Sequence, residues 1–101
     1  MQLEKNRRGR ELRVVLSGEL DHHNAAIIRE EVDRELDGSV KLLTLDMSGI
    51  TFMDSSGIGV VLGRYRRMSE SGGKLRMGGM SIYAEKILRM AGVLALLRKK
   101  H

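Results

Sequence analysis

The eight residues Val40 to Met47 (VKLLTLDM) form an almost continuous apolar run near the middle of the chain. Such a run fits a central β-strand covered on both sides. A short loop, Ser48 to Met53, carries the chain from this strand to Asp54-Ser55-Ser56-Gly57. A helix follows from about Ser55 to Ser71, with Ile58, Val61, Leu62, Tyr65 and Met68 as its apolar stripe. A strand that delivers two hydroxyls and a carboxylate to a helix start forces a layered α/β arrangement. It also displays those groups where helix N–H groups and the helix dipole favour negative charge. The serine pair there reads either as a helix cap or as a residue switched by phosphorylation; the second is the reading adopted.

The remaining elements follow the same alternation. Residues 2–6 suit a short edge strand, and Arg8-Gly9-Arg10 a turn. Leu12, Val14 and Leu16 alternate as in a strand with one buried face. Gly18 to Asp21 leads to a helix whose apolar positions are Ala25, Ile28, Val32 and Leu36, capped by Asp21 or Asn24 and stopped near Gly38. Gly72-Gly73 ends the second helix, Leu75 and Met77 mark a further strand, and Ser81 caps a third helix with Ala84, Ile87, Leu88 and Ala91 along one face. Val93 to Leu97 reads as a last short strand. At 101 residues the expected organisation is a single domain spanning 1–101, with one modest core.

Composition narrows the function. The chain has no cysteine, which removes disulfides and cysteine-based metal sites, and a cytoplasmic location fits. No apolar run approaches the ~20 residues of a membrane span, and Met1 to Arg10 lacks the apolar core of a signal peptide. The net charge of +5 is scattered over Lys5 to Arg10, Arg64 to Arg67 and Arg98 to Lys100, and only one Phe and two Tyr are present for base stacking. Solvated helix faces and a basic tail account for it, with attraction to an acidic protein partner as the sharper alternative.

Catalytic and ligand-binding readings fare poorly. A nucleophilic serine needs a base, and the histidines are His22, His23 and His101; Asp21-His22-His23 approaching the serines in space is not something spacing establishes. Gly57-x-Gly59-x-x-x-Gly63 has Leu62 where the dinucleotide fingerprint needs a glycine or alanine, and no Walker lysine-hydroxyl pair follows. These glycines are expected to serve packing, with close approach of the helix to the sheet or to a partner offsetting the ~1 kcal/mol cost of an interior glycine. His22 and His23 lack a carboxylate-rich ligand set, so no metal and no cofactor is expected.

Three segments then act together: Gly18-Glu19-Leu20-Asp21-His22-His23, Phe52-Met53-Asp54-Ser55-Ser56-Gly57-Ile58-Gly59-Val60 and Gly63-Arg64-Tyr65. In their order and spacing they resemble the anti-sigma factor antagonists of the STAS domain family, closest to the sporulation type, over nearly the whole chain. The resemblance implies a small mixed β-sheet of four to five strands packed with about three helices. It implies a protein that is not an enzyme and whose unmodified form binds an anti-sigma factor with serine kinase activity, freeing a sigma factor. That kinase would phosphorylate Ser55, and a serine phosphatase would reverse it. Asp21 and the segment Asp54, Ser55, Ser56, Gly57, Ile58 and Gly59 would form the partner-binding surface. No direct nucleic-acid or membrane partner is implied, and the chain would be a monomer or weakly self-associating. The family's final helix is expected to be missing or truncated here. The alternative function is a STAS module of a transport system or a stress-signalling assembly.

Overall fold

The computed structural model describes residues 1–98; Lys99, Lys100 and His101, which include most of the expected basic tail, lie outside the described residues. Strand β1 (Gln2–Arg8) turns at Gly9, whose φ of 57° suits glycine, into β2 (Glu11–Leu20). Then come α1 (His22–Glu35), β3 (Leu42–Met53), α2 (Ser55–Glu70), β4 (Lys74–Met80), α3 (Ile82–Met90) and α4 (Val93–Arg98). The sheet order is β1-β2-β3-β4, with β1 antiparallel to β2 and the other neighbours parallel. The described residues thus give a mixed sheet of four strands and four helices, the expected α/β class.

Alternation in β2 sorts the two sheet faces. Leu12, Val14 and Leu16 point into a core shared with Leu43, Leu45 and Met47 of β3, Ala25, Ile28 and Val32 of α1, Val60, Val61 and Met68 of α2, and Ala84 and Leu88 of α3. Among the described residues the other face has no helix. Glu11, Arg13, Thr44, Asp46 and Arg76 interlock there instead: Arg13 Nη2 meets Asp46 Oδ2 at 2.6 Å, and Arg76 Nη2 meets Glu11 Oε2 at 3.3 Å. Thr44 is buried beneath them, its hydroxyl donating to Glu11 Oε2 at 3.2 Å. The central strand is therefore covered by helices on one side only, and its second covering is a layer of charged side chains. A single apolar run does not distinguish these two situations.

Two sequence expectations are corrected at element ends. The stretch Ser48 to Met53 is not a loop: β3 continues through it, paired with the end of β2. Register shifts between Val15 and Ser17 and between Gly18 and Glu19 bring Met47, Ile50 and Met53, three apart, successively into the core, which hides the period of two expected of a strand. Val93 to Leu97 is helical, not a strand. Gly92 at φ 79° turns the chain out of α3, and the Leu- and Ala-rich run then winds into the six-residue α4, burying Val93 and Leu94.

The buried face of α2 is also rotated from the expected stripe. Gly57, Val60, Val61, Arg64 and Met68 are buried, while Ile58, Leu62 and Tyr65 are half-buried at its edge. Arg64, expected on a solvated face, is only 6% exposed and sits 2.9 Å from Asp33 Oδ1 of α1. The contact is close but poorly aligned for a hydrogen bond, so it acts as an ion pair. Burial pulls the guanidinium pKa below its ordinary value and Asp33 opposes that shift; an arginine stays charged throughout.

Candidate functional site

Leu20 and Met53 are register partners at the carboxyl ends of β2 and β3. Each strand hands the chain to a helix through an aspartate. Asp21 caps α1, its Oδ1 accepting from Asn24 N at 3.1 Å, and Asp54 caps α2, its Oδ1 accepting from Ser56 N at 2.8 Å. Both caps have extended backbone, as the N-cap position requires. Asp54 N donates to Leu20 O at 3.3 Å, which ties the two strand ends together. Two capped helix starts therefore lie side by side at one end of the sheet. Of the two caps expected for α1, Asp21 is the one used; the Asn24 side chain donates to Glu19 O at 2.8 Å and braces the turn.

Ser55 is the first residue of α2 and is exposed. Ser56 is half-buried, with its N–H engaged by Asp54, and Gly59 is exposed one turn further on. Gly57 is buried: a Cβ there would lie 2.4 Å from Met53 Cε and 2.7 Å from Met53 Cγ. It contributes a close backbone approach that lets α2 start directly over the end of β3. Gly59 and Gly63 do not have that role. A Cβ at either meets nothing within 4 Å, so of the two close approaches expected, to the sheet or to a partner, the one to the sheet is absent. They leave a bare strip of backbone on the accessible side of α2.

Sequence reasoning did not foresee one feature of this end. Phe52, beside the core residue Met53, is 48% exposed. The third helix begins farther back along β3: Ser81 N donates to Met47 O at 3.0 Å, and Ser81 Oγ caps α3 by accepting from Ala84 N at 3.2 Å. Three parallel strands thus each feed a helix N-terminus, and those of α1 and α2 lie together. The signal for Phe52 was its place in a segment taken for a loop.

His22 and His23 are exposed at the start of α1, with ring centroids 6.0 Å apart in an edge contact. Among the described residues no group of three or more His, Asp or Glu side chains is arranged to hold a metal ion. No described helix is long and apolar enough to cross a membrane.

The STAS domain family matches residues 2–100. The chain belongs to that family. Among its STAS relatives, an anti-sigma F factor antagonist from Paenibacillus polymyxa is 33% identical over 98 residues, covering 96% of this chain and 84% of the relative. An anti-sigma-B factor antagonist from Bacillus subtilis (strain 168) is 26% identical over 86 residues, covering 85% of this chain and 75% of that protein. The solved structure of the anti-sigma factor antagonist SpoIIAA in its unphosphorylated form superposes with a TM-score of 0.82 at 29% identity, over 91% of this chain and 82% of SpoIIAA. The phosphorylated form of the Bacillus cell fate determinant SpoIIAA superposes at 0.75 with 28% identity, over 93% of this chain and 86% of that one.

Proposed function

We propose that this STAS domain, spanning 1–101, is an anti-sigma factor antagonist controlled by phosphorylation of Ser55. In this reading the unphosphorylated form binds, in the cytoplasm, an anti-sigma factor that is also a serine kinase, and so releases a sigma factor. The observation that carries it is the exposed Ser55 at the first position of α2, beside the Asp54 cap and next to the Asp21 cap on the neighbouring strand end. The names of the relatives support the antagonist role. Asp21, Asp54, Ser55, Ser56, Ile58 and Gly59 form the contact surface, and Gly57 shapes it from beneath.

The chemistry of the switch is simple. Ser55 Oγ attacks the γ-phosphorus of ATP held by the kinase, the bond to the β–γ bridging oxygen breaks, and ADP leaves. The hydroxyl proton passes to a base on the kinase. This chain supplies the acceptor alone and does no catalysis. The phosphate adds about −1.5 to −2 charges at pH 7. The positive end of the α2 dipole tolerates it within the domain. A partner surface fitted to a small neutral hydroxyl flanked by two carboxylates does not, so the complex separates without refolding the domain. A serine phosphatase restores the hydroxyl. Titrating the purified anti-sigma partner into wild type, Ser55→Ala and Ser55→Asp tests this: Ser55→Ala binds like wild type and Ser55→Asp does not. Equal binding by Ser55→Asp would refute the charge switch.

A further inference from the structure

Phe52 is the chain's single phenylalanine, and the sheet turns it outward. Gly18 pairs with Ile50 and Glu19 with Phe52, so Thr51 is an extra residue on β3 with no partner on β2. Strict alternation from the buried Ile50 would carry Phe52 into the core and leave Met53 outside. The extra residue reverses both: Met53 enters the core opposite Leu20, and Phe52 stands exposed opposite the exposed Glu19. Successive pairs point to opposite faces, so Phe52 and Glu19 lie on the helix-free side of the sheet. A single exposed apolar side chain is ordinary. A bulge that displays an aromatic ring while a flexible methionine takes the inward place is a specific arrangement, of the kind that re-aims a side chain at a functional site. Its location is equally specific. Phe52 precedes the Asp54 cap by two residues and Ser55 by three. The bond from Asp54 N to Leu20 O at 3.3 Å joins its strand end to the one that carries Asp21. The ring therefore borders both capped helix starts.

We propose that Phe52 is the aromatic anchor of the Ser55 contact surface, entering an apolar pocket on the protein that binds and phosphorylates Ser55. This role rests on the function proposed above and adds to it the chemistry and placement of the partner, which carries an apolar pocket and straddles the carboxyl ends of β2 and β3. The other groups at that edge cannot anchor a complex by burial. Ser55, Ser56 and Gly59 offer little apolar area, and the Asp21 and Asp54 carboxylates are engaged by helix N–H groups. Interface affinity concentrates in a few large side chains, aromatic ones above all, ringed by near-neutral contacts. An aromatic ring with two side-chain torsions, held on a paired strand, gives up little conformational freedom on binding. An apolar contact three residues from the reacting hydroxyl is the same before and during phosphoryl transfer, so it lowers KM without changing kcat.

The test is steady-state phosphorylation of Ser55 by the purified anti-sigma kinase, with calorimetric titration of the same partner, on wild type, Phe52→Ala and Phe52→Leu. Tyr83→Ala, which removes a comparably exposed ring from α3, is the control. Phe52→Ala is expected to raise KM and weaken binding about tenfold with kcat unchanged, Phe52→Leu to recover part of that loss, and Tyr83→Ala to stay within about twofold of wild type. Circular dichroism checks folding; should Phe52→Ala unfold, the comparison of Phe52→Leu with wild type carries the same readout. Wild-type KM and affinity in the folded Phe52 variants overturn the anchor. So does a fall in kcat at constant KM, which would make Phe52 a support of the Ser55 turn. A wild-type dimer in sedimentation that Phe52→Ala dissociates, with partner affinity unchanged, also overturns it and assigns the ring to a second copy of this chain. Ser55→Asp reports on the switch separately, whatever the Phe52 variants do. A wild type that the partner neither binds nor phosphorylates removes the proposed function, and the anchor with it.

Discussion

The helix-free face of the sheet and the carboxyl end of its strands are both polar surfaces, yet they handle polarity in opposite ways. On the open face the charges are spent on one another. Arg13 holds Asp46, Asp46 Oδ1 also accepts from the Ser48 hydroxyl at 2.6 Å, and Glu11 holds both Arg76 and Thr44. At the carboxyl end the aspartates are spent on helix caps, and what faces outward is the Ser55 hydroxyl, the bare backbone at Gly59 and the ring of Phe52. A surface whose charges neutralise each other serves stability. A surface that shows a small uncharged hydroxyl beside two aspartate caps is, in the proposed reading, the one a partner contacts and the one most sensitive to added charge.

The contrast breaks most sharply at Ser55. Ser55→Asp should weaken partner binding by about 100-fold, within the range for a misplaced charge in an interface, while thermal stability stays close to wild type. The ion pair between α1 and α2 ranks next. Asp33→Ala leaves the buried Arg64 without its carboxylate and should cost about 2–3 kcal/mol in urea unfolding, somewhat below the loss for a fully buried pair because Asp33 is partly exposed. The two glycines of α2 should then separate. Gly57→Ala drives a methyl group against Met53 and should destabilise by about 1–2 kcal/mol. Gly59→Ala meets open space and should stabilise the helix by up to ~1 kcal/mol. If Gly59→Ala also weakens partner binding, the bare strip is part of the interface.

The smallest effect belongs to the open face. Hydrogen bonds from the Ser48 side chain and backbone, followed by the charge of Arg13, hold the Asp46 carboxyl below its ordinary pKa against the opposing effect of burial. Because the folded value is the lower one, its stabilisation is complete above the unfolded carboxylate pKa and is lost as pH falls through the folded value. Urea midpoints should therefore fall on acidification below about pH 4, and Asp46→Asn should flatten that limb while leaving partner binding unchanged. An Asp46→Asn variant with an unaltered acid limb would show that the open-face network does not store this stability.

Much of the architecture was legible because local signals agreed. Leu12, Val14 and Leu16 alternate cleanly, Asp21 and Ser81 are strong caps, and Gly72-Gly73 is an unambiguous stop. The failures occur where tertiary context overrides the local pattern. Two register shifts convert the end of β3 into a strand with a period of three, so Ser48 to Met53 looked like a loop and the exposure of Phe52 was not foreseen. Arg64 sits among Arg66 and Arg67 in sequence and looked solvated, but a carboxylate 31 residues earlier, Asp33, draws it inward. Gly59 and Gly63 looked like packing residues because glycine costs helix stability, and sequence does not reveal which face of the helix a partner would need. At the site, the pairing of Asp21 with the Ser55 edge became visible only through the register of Leu20 with Met53.

Intact-mass spectrometry of this protein after incubation with the cognate anti-sigma kinase and ATP, followed by site mapping and titration of the purified product, tests the Ser55 switch most directly. The expected result is a single phosphate on Ser55, absent in Ser55→Ala, and loss of binding to the kinase by the phosphorylated form. Failure of an active kinase to modify Ser55, or undiminished binding by the phosphorylated protein, would contradict the switch and leave the Asp54-Ser55-Ser56-Gly57 turn as a helix cap alone.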